Sequence, residues 1–205
     1  MQSPAQNFRK IPLSDYIMTP TVLFALALIC AYLLEGFLAN DFVSPLSGSN
    51  SQALILLAQC DGPLPFYPWT LVTSVFLHAS IIHILGNIVF LLLFGFILEE
   101  QVTKSRWIMI FFLTGIAGNL TFVGADVVGF VFTGLPNSLS PSCGVGASGA
   151  VYGIMGAATG LRGVILIIFI AGLDLFAGGG FFAHIGGLIT GLLLRRFSNS
   201  ALRNY

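Results

Sequence analysis

Residues 78–98 read HASIIHILGNIVFLLLFGFIL. From Ile88 onward the side chains are continuously apolar apart from Gly95, a composition suited to a bilayer interior. The residues before them place His78, His83 and Asn87 where hydrocarbon begins. Polar groups are expensive at that depth. The stretch therefore bears on both the fold and the place where function resides.

The rest of the chain fits a membrane reading. Of 205 residues, 56% are hydrophobic and 8% charged, and the mean hydropathy is +0.94. Soluble domains carry about 25% charged residues, so the composition predicts an all-α, polytopic membrane protein. Six apolar segments lie at 20–38, 70–98, 107–125, 147–161, 163–179 and 181–195. Each suits a helix, because a spanning segment must satisfy its backbone internally. A net charge of zero with no basic block speaks against nucleic acid as a partner. Three cysteines without a CxxC pair suggest no metal cluster, and no cofactor is implied. The polar first twenty residues do not resemble a cleaved signal peptide.

Charge sets the expected topology. The eight Lys and Arg residues are Arg9, Lys10, Lys104, Arg106, Arg162, Arg195, Arg196 and Arg203. With six spans they all fall on one side, which the positive-inside rule makes the cytoplasm. Residues 1–19 and 198–205 are then cytoplasmic tails around a core of 20–197, expected in the plasma membrane. The opposite, outer side receives the 39–69 loop, the 126–146 loop and a turn near Asp174. SQALILLAQ in the first of these is too short to span, and reads either as an interfacial or re-entrant segment or as a loop with buried anchors. Cys60 and Cys143 share the outer side, where they pair or remain free thiols.

Helical rise provides a depth ruler. Counted from the cytoplasmic charges of their own segments, His83 stands roughly 24 Å up, Asn87 roughly 18 Å, Ser148 roughly 21 Å and His184 roughly 17 Å. One serine, two histidines and an asparagine thus share one layer of a bilayer whose hydrocarbon is about 30 Å thick. Packing glue between helices is the alternative for each residue taken alone.

The residue types suit acyl transfer. Ser148, in GVGASGAVYG, can begin a helix with its backbone N–H free, as a nucleophile with an oxyanion donor beside it. Gly146 and Gly149 flank it, and the surrounding glycines also read as a packing face. His184, in AHIGGLITG, suits a general base. Gly187 and Gly191 form a GxxxG pair expected to face a close neighbour. Tyr152, four residues after Ser148, can pack on the imidazole. With no carboxylate at this depth, the pattern reads as a Ser–His dyad. His83 and Asn87 project from one helix face and are both usable oxyanion donors. His78, nearer the surface, reads as a structural hydrogen-bonding residue.

PWTLVTSVFLHASIIHILGN, GASGAVYG and AHIGGLITG together resemble the rhomboid intramembrane serine proteases, over residues 20–195. The resemblance implies a six-span rhomboid-like bundle with Ser148 as nucleophile and His184 as base. It implies His83, Asn87 and the Ser148 N–H as oxyanion donors, Tyr152 as the support of His184, and Glu99 as a structural glutamate. It also implies a gate between the second and fifth spans, and a mobile cap around Asp174 to Phe182. Single-span transmembrane proteins in the lipid bilayer would be the substrates. Many members carry Trp-Arg in the first outer loop where this chain has Trp69-Thr70, a departure in anchoring rather than in chemistry. Two other readings compete: a catalytically silent rhomboid-like client binder, and a small transporter or channel relaying protons through the histidines.

Overall fold

The computed structural model describes residues 19–47, 52–60, 67–133, 143–165, 167 and 180–201. Five long helices dominate these residues: α1 (Pro20–Ala39), α2 (Ile81–Glu99), α3 (Lys104–Thr133), α4 (Ser148–Thr159) and α5 (Phe181–Ala201). The fold is helical, as expected. Among the described residues, three helical segments are long and apolar enough to cross a membrane: Pro20–Ala39, Ile81–Glu99 and Lys104–Ala125. Most of the expected fifth span, Asp174 and most of its expected cap, nearly all of the 1–19 tail and residues 202–205 lie outside the described residues.

Local chemistry explains the helix ends. Thr19 caps α1 by accepting the Val22 N–H, Pro20 takes the first helical position, and Asn40 closes the helix in the left-handed region at φ 54°. The second expected span is corrected at its start. Residues 70–98 do not form one helix: Thr70–Thr73 and Ser74–Phe76 make two short turns, and α2 begins only at Ile81. Leu77 is extended, and Ser80 is extended and accepts the His83 N–H at 3.3 Å. The intervening N–H groups leave the helical ladder: His78 donates to Glu35 at 3.0 Å and Ile81 to the Val43 carbonyl at 3.1 Å. Apolar composition alone hides such a break, because a capped turn can be as hydrophobic as a helix.

The third span is corrected in the other direction. At 30 residues α3 runs well beyond the expected 107–125, roughly 45 Å of helix.

α4 is the central element. Every residue from Gly149 to Ala158 is buried, and its 12 residues amount to roughly 18 Å. Its last carbonyls are capped from elsewhere: Arg195 Nη1 donates to Ala157 O and to Ala158 O, and Gln101 Nε2 donates to Ala158 O at 3.1 Å. A guanidinium at a helix C-terminus satisfies orphan carbonyls and complements the dipole. At this same end Glu99 Oε1 accepts the Thr21 N–H at 2.7 Å, joining the end of α2 to the start of α1. An aromatic group of Phe24, Trp107, Phe111 and Phe112 fills the space between, and Trp107 Nε1 donates to Gly95 O at 3.1 Å.

Small residues bring three helices into backbone contact. A Cβ on Gly187 would run into Gly149 O, and one on Gly191 into Gly153 O. A Cβ on Gly118 of α3 would lie 2.8 Å from Ala183 O. Close packing of this kind replaces the hydrophobic drive that is missing between helices in lipid. The outward faces stay apolar: Ile82 is 74% and Phe37 75% exposed, and Leu85, Val89 and Leu93 continue the α2 stripe. Such surface suits hydrocarbon rather than water.

Candidate active site

His83 and Asn87 lie one turn apart on α2. The Asn87 side chain is buried and donates from Nδ2 to the His83 carbonyl at 3.1 Å. That uses one of its two N–H groups. The His83 ring faces the chain ahead of Ser148: a Cβ on Gly146 would lie 2.6 Å from its Cε1 and 2.7 Å from its Nε2. Gly146 also has φ +122°, a conformation side chains rarely adopt. Glycine is required there twice over, by backbone conformation and by the imidazole against it.

Ser148 opens α4. Gly146 N donates to Ser74 O at 2.9 Å, Ala147 is fully buried, and Ser148 is the first helical residue. A residue in that position has no carbonyl of its own helix to receive its N–H. The expected helix start with a free donor is therefore present.

His184 sits in the first turn of α5, its N–H bonded to Gly180 O at 2.9 Å. Its ring stacks on Tyr152, with centroids 4.2 Å apart and planes 7° from parallel. Both are buried. The Gly187–Gly149 and Gly191–Gly153 contacts set this geometry, since they bring α5 against the α4 face that begins at Ser148. The structure thus places His83 beside the Gly146 approach to Ser148, and His184 upon Tyr152 one turn beyond Ser148.

A match to the Rhomboid domain model covers residues 65–198, well over half of the chain. This chain belongs to the rhomboid family. It is a multi-pass membrane protein. It is 33% identical over 142 residues to RHOMBOID-like protein 6, mitochondrial, of Arabidopsis thaliana, covering 62% of this chain and 42% of that protein. It is 29% identical over 170 residues to RHOMBOID-like protein 1 of the same plant, covering 74% and 40%. With Rhomboid-like protease 3 of Toxoplasma gondii it shares 28% identity over 203 residues, 89% of this chain and 70% of that one. The chain spans about two fifths of the length of these Arabidopsis relatives.

Within this rhomboid, His78 is wholly buried. Its Nδ1 lies 3.3 Å from Phe76 O, and its ring meets His83 edge-on at 5.2 Å. The expectation that no carboxylate shares this layer is corrected. Glu35, on α1, is 2% exposed, and its Oε2 accepts the His78 N–H at 3.0 Å. Among the described residues Glu35 Oε1 and His78 Nε2 have no hydrogen-bond partner. Glu35 therefore serves His78, not His184. The available signal was a lone acid inside an apolar segment, LLEGF.

The 39–69 loop resolves into a short helix at Gln52–Ile55 and a strand, β1 (Gln59–Cys60), which pairs antiparallel with β2 (Cys143–Gly144). Cys60 and Cys143 form a disulfide, so the open choice between paired and free thiols is decided. Where many rhomboids carry Trp-Arg, the anchoring is neutral: Trp69 Nε1 donates to Leu56 O at 3.1 Å, and Thr70 Oγ1 donates to Tyr67 O at 2.6 Å. Among the described residues no group of three or more His, Cys, Asp or Glu is placed to hold a metal.

Proposed function

We propose that this chain is an intramembrane serine endopeptidase, cleaving single-span transmembrane proteins near the outer face of the membrane. Ser148 Oγ attacks the scissile carbonyl, and His184 takes its proton and passes it to the leaving amine. The Ser148 N–H, His83 and Asn87 donate to the oxyanion of the tetrahedral intermediate. Tyr152 holds the imidazole plane. Water then releases the acyl-enzyme. The core is 20–197 in a six-span bundle with both termini cytoplasmic, in the plasma membrane, and neither metal nor cofactor takes part.

The observation that supports this most is the flat stacking of His184 on Tyr152, one turn from the helix start that carries Ser148. Packing glue would not need an aromatic clamp that fixes an imidazole plane one turn from a serine; a general base does. The disulfide supports the orientation, because such bonds persist in oxidising compartments, and the basic residues gather away from it.

The test is incubation of the purified protein, in liposomes, with a panel of single-span substrates, beside Ser148→Ala and with a fluorophosphonate probe. Cleavage and probe labelling, both lost in Ser148→Ala, are expected. Native protein that neither cleaves nor labels would favour a catalytically silent client binder.

A further inference from the structure

The disulfide lies close to the proposed nucleophile in sequence. Cys143 precedes Ser148 by only five residues. Between them the chain is held to the 39–76 region at three points. Cys143 is bonded to Cys60, Gly144 pairs with Gln59 across the two strands, and Gly146 N donates to Ser74 O at 2.9 Å. The far side of each tether is itself anchored. Gln59 is 1% exposed and its Oε1 lies 2.8 Å from Thr70 Oγ1. Asn119 of α3 donates to Leu71 O and to Ser74 Oγ, each at 2.8 Å.

Of the three tethers two are weak. A ribbon of two residues per strand is marginal without further support, and one backbone hydrogen bond contributes little net stability. Gly146, the last tethered residue, also holds a left-handed φ against the His83 ring. The covalent bond is thus the strongest of the three tethers, on a segment whose path at Gly146 leaves no room for a side chain.

We propose that the Cys60–Cys143 disulfide is a positioning device for the Gly144–Ser148 segment, seating Gly146 against His83 and so fixing where Ser148 begins its helix, and that cleavage depends on the bond being oxidised. The proposal rests on the reading of Ser148 as nucleophile. Cys143 is exposed and Cys60 half-buried, so a reductant reaches the bond. A phosphine attacks one sulfur of the bond and displaces the other as a thiolate; water then cleaves the phosphorus–sulfur bond to give the phosphine oxide and the second thiol, so the disulfide gains two electrons and two protons and phosphorus is oxidised.

The experiment uses the full chain carrying Cys30→Ser, which removes the free exposed thiol. The folded protein in liposomes is reduced with a water-soluble phosphine, then reoxidised with oxidised glutathione. Amide hydrogen exchange at 144–148, cleavage kinetics and helical circular dichroism are read in each state. Expected on reduction is a rise of about tenfold or more in exchange at 144–148, a local opening of the segment. With it kcat falls on the order of 10²-fold, the scale for a group misplaced by about 1 Å, with KM within about twofold. Both recover on reoxidation. A Cys60→Ser/Cys143→Ser variant should resemble the reduced protein and ignore the phosphine.

Unchanged exchange, or raised exchange with native kcat, overturns the proposal. So does loss of the helical signal on reduction, since the bond would then hold the fold rather than the segment. Raised exchange with no cleavage in either redox state upholds the tether and defeats the protease reading instead.

Discussion

Gly187 of α5 lies against the carbonyl oxygen of Gly149 of α4, so closely that a Cβ on Gly187 would run into that oxygen. Gly149 follows Ser148 directly, and Gly187 stands three residues after His184. With the Gly191–Gly153 contact one turn on, this backbone contact sets the spacing between the two proposed catalytic helices.

Gly187→Val should therefore separate α4 from α5. Overpacking of this kind costs about 1–3 kcal/mol, and cleavage should fall more steeply than stability because the catalytic spacing widens. Gly86→Ala is the control, since a Cβ there meets nothing within 4 Å. Melting temperature and cleavage rate are measured for both. A Gly187→Val protein with native activity would show that the contact does not set the site.

Ser148→Ala and His184→Ala should each abolish cleavage, and the double variant should lose little more. Residues acting as a unit are strongly non-additive. Additive losses in kcat/KM would mean that the two act independently. Chelators should leave the rate unchanged.

The oxyanion donors should matter by degree. Removing one typically lowers the rate by about 10²–10³-fold. Asn87→Ala should slow cleavage yet leave Ser148 reactive toward a small phosphonate. His83→Ala should cost more, because its ring also fills the space beside Gly146. His78→Ala should chiefly lower the melting temperature, since the buried ring packs edge-on against His83. Native rates in the first two variants would return this stretch to a packing role.

The stack on His184 can be probed alone. Tyr152→Phe keeps the ring and should cleave near the native rate. Tyr152→Leu removes an aromatic pair of about 0.5–1.5 kcal/mol and should slow cleavage by roughly tenfold, with KM little changed. Equal rates in the two variants would show that the ring plane does not orient the base.

Topology is testable directly. Reporter tags fused at either end should be shielded from an externally added protease, because the basic residues gather on the side of both termini. An externally accessible C-terminus would mean an odd number of spans.

Much was readable from the sequence alone, and for local reasons. Apolar runs specify membrane helices because an unpaired backbone is intolerable in lipid. The i, i+4 spacing puts His83 and Asn87 on one face whatever the neighbours are. GASG allows a helix to begin at Ser148, and α4 does begin there. The end of α2 was also legible, at the Glu99 charge. Its start was not, because the Ser80 cap matters only once Glu35 and Val43 accept the N–H groups released from the helical ladder.

Tertiary structure decided the pairings. Cys60 meets Cys143 from 83 residues away, Glu35 meets His78 from 43 away, and Tyr152 meets His184 across two helices. Periodicity and charge state which face of a segment is apolar and which end is basic. They do not state which segment stands beside which. That choice is made by the shapes of the helix surfaces, where Gly149, Gly153, Gly187 and Gly191 let two backbones touch, and backbone contact at that distance is a property of the pair rather than of either strand of sequence.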